Sequence, residues 1–395
     1  KIYREHLYRK DDFNMKDKWT ATWGAAMLTA GDEQIPKNPC LCGSTLRQQI
    51  RVSIGGRSLR LALSNEYGNG DLEIKKITIA RLLSPSSSEI DVLSARQLTL
   101  EQNCSFTVPA GKRVYLDELE YDVSEMEDFA VTMELGAVPE VLTCHTASRC
   151  SAWIVSGERA DERIYDSFEE MTSWYFIAEL DVTAAEGSEV IVCFGDSLTD
   201  GASVTTNGFA RYTDELSRRL RSDPRLCRLA VVNMGIGATA LFRYGGDIAG
   251  TVRANRDILG VPGVKYAVLF MGVNDIGGAQ SDISGELISH YKSVISRCHA
   301  NGIKIYGATI TPFKGNGYYS ELHEKIRLAA NEFILSDDSG YDGCIDLASI
   351  MCDPSDPQKL NDCYVSVWND YLHFNDSGYC RVGDEVYSFL ESKIK

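Results

Sequence analysis

The sequence predicts two unlike halves: an all-β sandwich, jelly-roll-like, followed by a doubly wound α/β domain with a mostly parallel sheet. Three observations predict this. From Thr20 to about Val182 apolar residues recur with a period of two. Turn signals interrupt them at Tyr67-Gly68-Asn69-Gly70, Ser84-Pro85-Ser86 and Pro109-Ala110-Gly111, as between short antiparallel strands. Thr183–Ser188 is then small and polar, a linker. Beyond it, continuous apolar runs alternate with helical stretches, the order that builds a parallel sheet flanked by helices. The two domains are accordingly placed at residues 1–185 and 186–395.

Composition sets outer limits. A chain of 395 residues exceeds one ordinary core. Its 44% hydrophobic and 24% charged residues are those of a globular protein. The net charge of −16 opposes binding to nucleic acid or an anionic membrane, which need basic patches. No apolar run approaches the ~20 residues of a membrane span. The twelve cysteines do not form a disulfide framework: Cys193, Cys227 and Cys344 lie in apolar runs, and no CxxC pair offers a zinc site. Free thiols and an opening without a signal-peptide core point to the cytoplasm; the first residue is Lys1 rather than Met, which is compatible with a trimmed N-terminus. The sequence does not specify an oligomeric state.

Taken in order, residues 1–18 are an arm or peripheral helix. Ile50, Val52 and Ile54, then Gly55-Gly56, then Leu59, Leu61 and Leu63 predict a hairpin closed by a glycine turn. Further strands are expected at Leu72–Ala80, Val114–Val123 and Phe129–Leu135. In the second half strands are expected at Val190–Phe194, Leu229–Asn233, Tyr266–Met271, Ile303–Ile310 and Cys344–Leu347. Helices are expected at Gly208–Leu220, Asp247–Leu259, Gly285–Ala300, Tyr319–Leu335 and Gly378–Ile394.

Chemistry gathers where those strands end. The first stops at Gly195-Asp196-Ser197, placing a serine at the carboxyl end of a buried strand, where open parallel sheets bind ligands. A serine nucleophile needs a base, an acid to orient that base, and oxyanion donors. The second strand ends at Asn233-Met234-Gly235-Ile236-Gly237-Ala238, a turn that can aim backbone N–H groups at a ligand. The third ends at Gly272-Val273-Asn274-Asp275, where an amide could donate to an oxyanion. Near the C-terminus, Asp370-Tyr371-Leu372-His373 lets a carboxylate meet an imidazole across one turn. Each element alone has an ordinary structural explanation as a turn or a surface pair.

Together and in this order, Gly195-Asp196-Ser197-Leu198, Asn233-x-Gly235-x-Gly237, Gly272-x-Asn274-Asp275 and Asp370-x-x-His373 resemble the SGNH (GDSL-type) hydrolases over residues 188–395. The N-terminal half is similar to the β-sandwich that precedes the hydrolase domain in a bacterial subgroup, chiefly over Thr20–Ala25 and Thr45–Tyr67. The resemblance implies a flavodoxin-like three-layer α/β/α fold and an esterase without metal or organic cofactor. It implies Ser197 as nucleophile, His373 as base and Asp370 as its orienting acid. The oxyanion donors would be the Ser197 N–H, a backbone N–H at Gly237 or Ala238, and the Asn274 amide. Two departures stand out: Ala238 where the family has glycine, and Phe374 where proline commonly follows the histidine.

His290, His299 and His323 fall in expected helices and compete poorly for the base role; Asp346 has no neighbouring histidine and is expected to be structural. The loops Asp200–Phe209 and Phe313–Tyr319 are polar with a few aromatics (Phe209, Phe313, Tyr318, Tyr319). That favours a short acyl group, acetyl first, on a small-molecule or oligosaccharide ester. The alternatives are a broad short-chain carboxylesterase or lipase-like acylhydrolase, and a glycan-binding protein with a vestigial hydrolase domain. The sandwich is expected either to bind glycan or to pack on the hydrolase domain and shape its cleft.

Overall fold

The computed structural model describes residues 19–243 and 245–394; the arm expected over residues 1–18 lies outside them. The N-terminal region is all-β. One antiparallel sheet runs Thr20–Gly24, Ile177–Val182, Gly56–Asn65 and Lys112–Tyr115, with Leu119–Val123 also paired to Gly56–Asn65. The other runs Glu169–Met171, Ala152–Ser156, Ser44–Arg51, Asp128–Leu135, Leu72–Arg81 and Arg96–Gln97. Leu46, Ile50, Ile79 and Val131 of the second share a buried core with Leu61, Leu63 and Leu180 of the first. A small third sheet joins Trp174–Tyr175, Thr143–His145 and Leu28–Thr29.

The expected hairpin at Gly55-Gly56 does not form. Ser44–Arg51 and Gly56–Asn65 belong to different sheets. After Arg51 the chain leaves its partner strand, and the Ser53 N–H donates to Thr22 O at 2.9 Å. Glycine is needed at position 55 for close approach rather than for a turn: a Cβ there would sit 2.3 Å from Val123 O. The alternation was real, but it continues across a crossing between sheets. The strand expected over Val114–Val123 is two strands, Lys112–Tyr115 and Leu119–Val123, laid along one neighbour.

After Val182 the architecture changes to α/β. Five parallel strands, numbered in chain order, are β1 (Glu189–Gly195), β2 (Leu229–Gly235), β3 (Val264–Phe270), β4 (Lys304–Ala308) and β5 (Gly343–Ile345). Their order in the sheet is β2-β1-β3-β4-β5. The chain steps from β1 to one side, then returns to place β3 on the other, so the carboxyl ends of β1 and β3 form a topological switch point. Alternating side chains fill two cores. Ile191, Cys193 and Val231 pack with Tyr212, Leu216, Val382 and Val386 from helices Tyr212–Ser222 and Asp376–Lys393. Val190, Val192 and Phe194 point to the opposite face, with Leu287, Tyr291, Ile326 and Ala330 from helices Ser284–Ala300 and Glu321–Leu335.

That second core is continuous with the sandwich core. Strand Thr20–Gly24 lies so close to β2 that a Cβ on Gly24 would fall 2.8 Å from the Met234 Cε. β2 is an edge strand, and the outward N–H of Val231 is taken by Ser53 Oγ at 3.1 Å. The sandwich therefore covers a sheet edge that would otherwise be open. Among the described residues no helix is long and apolar enough to cross a membrane.

One expected helix is broken. Asp247–Leu259 forms a 3-10 turn (Gly246–Ile248), a short α-helix (Gly250–Ala254) and a π-turn (Asn255–Leu259). The irregular backbone buries Asp257 between Arg253 (3.1 Å) and Arg256 (2.5 Å). Arg256 also donates to Tyr67 Oη and Met27 O of the sandwich.

Candidate active site

β1 stops at Gly195 because the chain must turn within van der Waals contact of itself: a Cβ there would lie 2.1 Å from Thr199 Oγ1 and 2.3 Å from Phe270 O. Asp196 then caps the one-turn helix Ser197–Asp200, accepting the Leu198 N–H at 3.0 Å. Its buried carboxyl is pushed up to about 7 by desolvation. Arg253 fixes the strand ends from beneath, donating to Gly195 O and Met234 O at 2.7 Å each while its guanidinium lies 4.0 Å from the Phe194 ring centroid. Asn233 ties the turn to β2: its amide donates to Thr199 O at 2.7 Å and accepts from the Gly235 N–H at 2.9 Å.

Ser197, thus mounted, is nearly buried, and its Oγ lies 2.9 Å from His373 Nε2. His373 Nδ1 lies 2.5 Å from Asp370 Oδ2. The other carboxylate oxygen accepts from the backbone N–H groups of Leu372 and His373 and from Ser366 Oγ, at 3.1–3.2 Å. Burial works to raise the Asp370 carboxyl, but the hydrogen bond from His373 and these N–H donors outweigh it, so it stays ionised below the usual range. Asn369 and Tyr371, both at φ +54°, make the tight loop that turns the carboxylate inward.

The donor side is built from the next two strand ends. Among the described residues, none accepts the backbone N–H of Ser197, Gly237 or Ala238. Ala238 occupies φ +60°, the left-handed conformation that glycine enters without strain, so its backbone follows the glycine path despite the substitution. Asn274 is oriented at both ends. Its Nδ2 donates to Thr239 O at 2.9 Å, and its Oδ1 accepts from Tyr318 Oη at 3.1 Å. One Nδ2 hydrogen remains for a ligand. Asp275 holds the neighbouring turn by accepting the N–H groups of Leu241 and Phe242 at 2.7 and 3.0 Å.

Arg253 is not evident from sequence, and the partners of Tyr318 and Asn233, residues the sequence does single out, lie far along the chain. Asn316 donates to Asp370 O at 2.7 Å and accepts the Tyr318 N–H, so one loop touches both the Asn274 amide and the Asp370 loop. His145, from the sandwich, is buried with Nδ1 2.9 Å from Ala26 O and Nε2 2.9 Å from Asp200 Oδ1. Two expectations for site aromatics fail: Phe209 is buried under the Arg51 guanidinium, and Phe313 is fully buried. The competing histidines are occupied elsewhere. His290 stacks on Phe242, His299 meets Asp342, and His323 faces the Tyr318 and Ala279 carbonyls. Asp346 caps the helix Leu347–Met351.

A serine, a histidine and a carboxylate thus stand in hydrogen-bonded series at the switch point of a parallel sheet, the arrangement a serine-type hydrolase would need. Residues 193–381 match the family of GDSL-like lipases and acylhydrolases, and this part of the chain belongs to that family. Solved structures are similar to about half of the chain. A putative acylhydrolase from Bacteroides fragilis is 18% identical, covering 53% of this chain and 90% of its own, with a TM-score of 0.41. An acetyl xylan esterase is 21% identical, covering 51% and 99%, with a TM-score of 0.41. A lipase/acylhydrolase from Enterococcus faecalis is 21% identical, covering 52% and 97%, with a TM-score of 0.40. No match to a curated protein was found.

Proposed function

We propose that the chain is a serine esterase that removes short acyl groups, acetyl foremost, from carbohydrate. The observation that carries this reading is the unbroken relay from Ser197 Oγ through His373 to Asp370. Ser197 attacks the ester carbonyl as His373 Nε2 takes its proton. The charge that develops on the carbonyl oxygen is met by the N–H groups of Ser197 and of the Gly237–Ala238 turn, and by Asn274 Nδ2. His373 returns the proton to the leaving alcohol, leaving an acyl-Ser197. It then draws a proton from water, which attacks the acyl carbon, and passes that proton to Ser197 Oγ as the acyl–oxygen bond breaks and the acid leaves. Asp370 keeps the imidazole in the tautomer that accepts at Nε2 and stabilises the imidazolium.

Support for a short acyl group on a polar alcohol comes from the walls. Loop 200–209 is a polar rim rather than an apolar lid, pinned by Ser203 Oγ to Phe374 O and by Thr205 to Asp376. Residues 1–185 and 186–395 act as one unit in this reading, the sandwich packing on the catalytic domain and shaping its cleft. The shared core and the His145–Asp200 contact support that role over an independent glycan-binding one.

The test is hydrolysis of p-nitrophenyl esters from acetate to decanoate beside an acetylated oligosaccharide, with Ser197→Ala as control. The expected result is activity confined to the shortest acyl groups and acetate released from the sugar. A preference for long chains would contradict it.

A further inference from the structure

We propose that Trp368 is the floor on which the alcohol part of the ester rests, and that this part carries a flat-faced ring, a pyranose above all. The proposal rests on the esterase reading and goes beyond it to the leaving group.

The chemistry divides the site into two sides. The acyl carbonyl oxygen turns toward the N–H donors. The alcohol oxygen must come within reach of His373 Nε2, because that nitrogen supplies the proton on which the alcohol departs. The group carrying that oxygen therefore lies beside the imidazole. Trp368 stands there, its ring centroid 5.3 Å from that of His373 and at 82° to it. It is 54% exposed, and Val367 beside it is 81% exposed. The other four tryptophans, Trp19, Trp23, Trp153 and Trp174, are all buried. The one indole turned to solvent is the one beside the catalytic base.

Nor does it hang on a loose segment. The Trp368 N–H donates to Ser366 Oγ at 3.2 Å, and the same hydroxyl donates to Asp370 Oδ1. The Asn369 N–H closes onto Ser366 O, and the Ser366 N–H onto His373 O. The loop that sets the carboxylate thus also sets the indole. A pyranose offers a face of C–H groups that packs on such a ring; a short acyclic alcohol covers little of it.

The test uses the full chain and three acetate esters that differ only in the alcohol: an acetylated xylo-oligosaccharide, cyclohexyl acetate and ethyl acetate. The quantity read is kcat/KM for each ring-bearing ester divided by that for ethyl acetate. Trp368→Ala is expected to lower this ratio about tenfold, mainly through KM, and Trp368→Tyr to restore most of it. A ratio unchanged in Trp368→Ala, whether all rates fall together or none falls, would overturn the proposal. A wild-type preference for cyclohexyl acetate without acetate release from the sugar would overturn the pyranose assignment and uphold the platform. Failure of wild type to cleave any of the three would overturn the esterase reading itself.

Discussion

Ser197 sits at the junction of three strand ends, and what it can do depends on atoms contributed by distant parts of the chain. Asn274 is the clearest case. Its side chain is buried and its orientation is set by Thr239 O and Tyr318 Oη. Removing an oxyanion donor lowers kcat on the order of 10²–10³, so Asn274→Ala should show a loss of that size in steady-state hydrolysis with KM little moved. Tyr318→Phe keeps the ring that packs against Gly277 and removes one neutral hydrogen bond. It should lower kcat about three- to tenfold, and add nothing further in the Asn274→Ala background. Independent, multiplicative losses would separate Tyr318 from Asn274. At this scale the sequence was legible for the geometry of candidate residues that follow directly on a strand or share a turn with their partner, as Asp370 and His373 do. Arg253, His145 and the bond from Tyr318 to Asn274 were not legible, because they rest on contacts dozens of residues away along the chain.

The elements of the α/β half were legible because buried parallel strands are continuous apolar runs and the covering helices keep a regular period. Boundaries moved by a few residues, and two readings failed for a physical reason. A period of two does not say which sheet a strand joins, so the Gly55-Gly56 crossing looked like a hairpin. The Asp247–Leu259 helix is distorted to bury Asp257 between two arginines, and a helical period cannot show that. The one-turn helix Ser197–Asp200 has a testable property of its own. Burial raises its Asp196 cap to about 7, so the native state keeps a proton that the unfolded chain gives up near pH ~4. The native state therefore loses stability as pH rises through that window. Asp196→Asn keeps an oxygen for the Leu198 N–H and removes the titration. Thermal melts between pH 5 and 8 should show a shallower decline for Asp196→Asn than for wild type; equal slopes would contradict the assignment.

Over the whole molecule, the sandwich and the α/β half share a core, and the sandwich sends one buried side chain to the one-turn helix Ser197–Asp200. His145 and Asp200 are 4% and 3% exposed, so His145→Ala removes the hydrogen bond to Asp200 Oδ1 and leaves Arg149, 3.8 Å from Oδ2, to face that buried carboxylate. That should destabilise the protein by about 1–3 kcal/mol in chemical denaturation, whereas a change below about 0.5 kcal/mol would mean the contact contributes little. Expressed alone, residues 186–395 should aggregate, since β2 would lose the cover of Ser53 and Thr20–Gly24. The two-part architecture was legible from the change of period at Thr183–Ser188, but this interlocking was not, because it rests on tertiary contacts between the halves. All of it serves one chemical claim, that an acyl group passes through Ser197. The most direct measurement is acid quenching of the protein during turnover of p-nitrophenyl acetate, followed by peptide mapping. One acetyl group is expected, on Ser197, absent from Ser197→Ala and from His373→Ala. Acetyl on another residue, or undiminished turnover in Ser197→Ala, would contradict it.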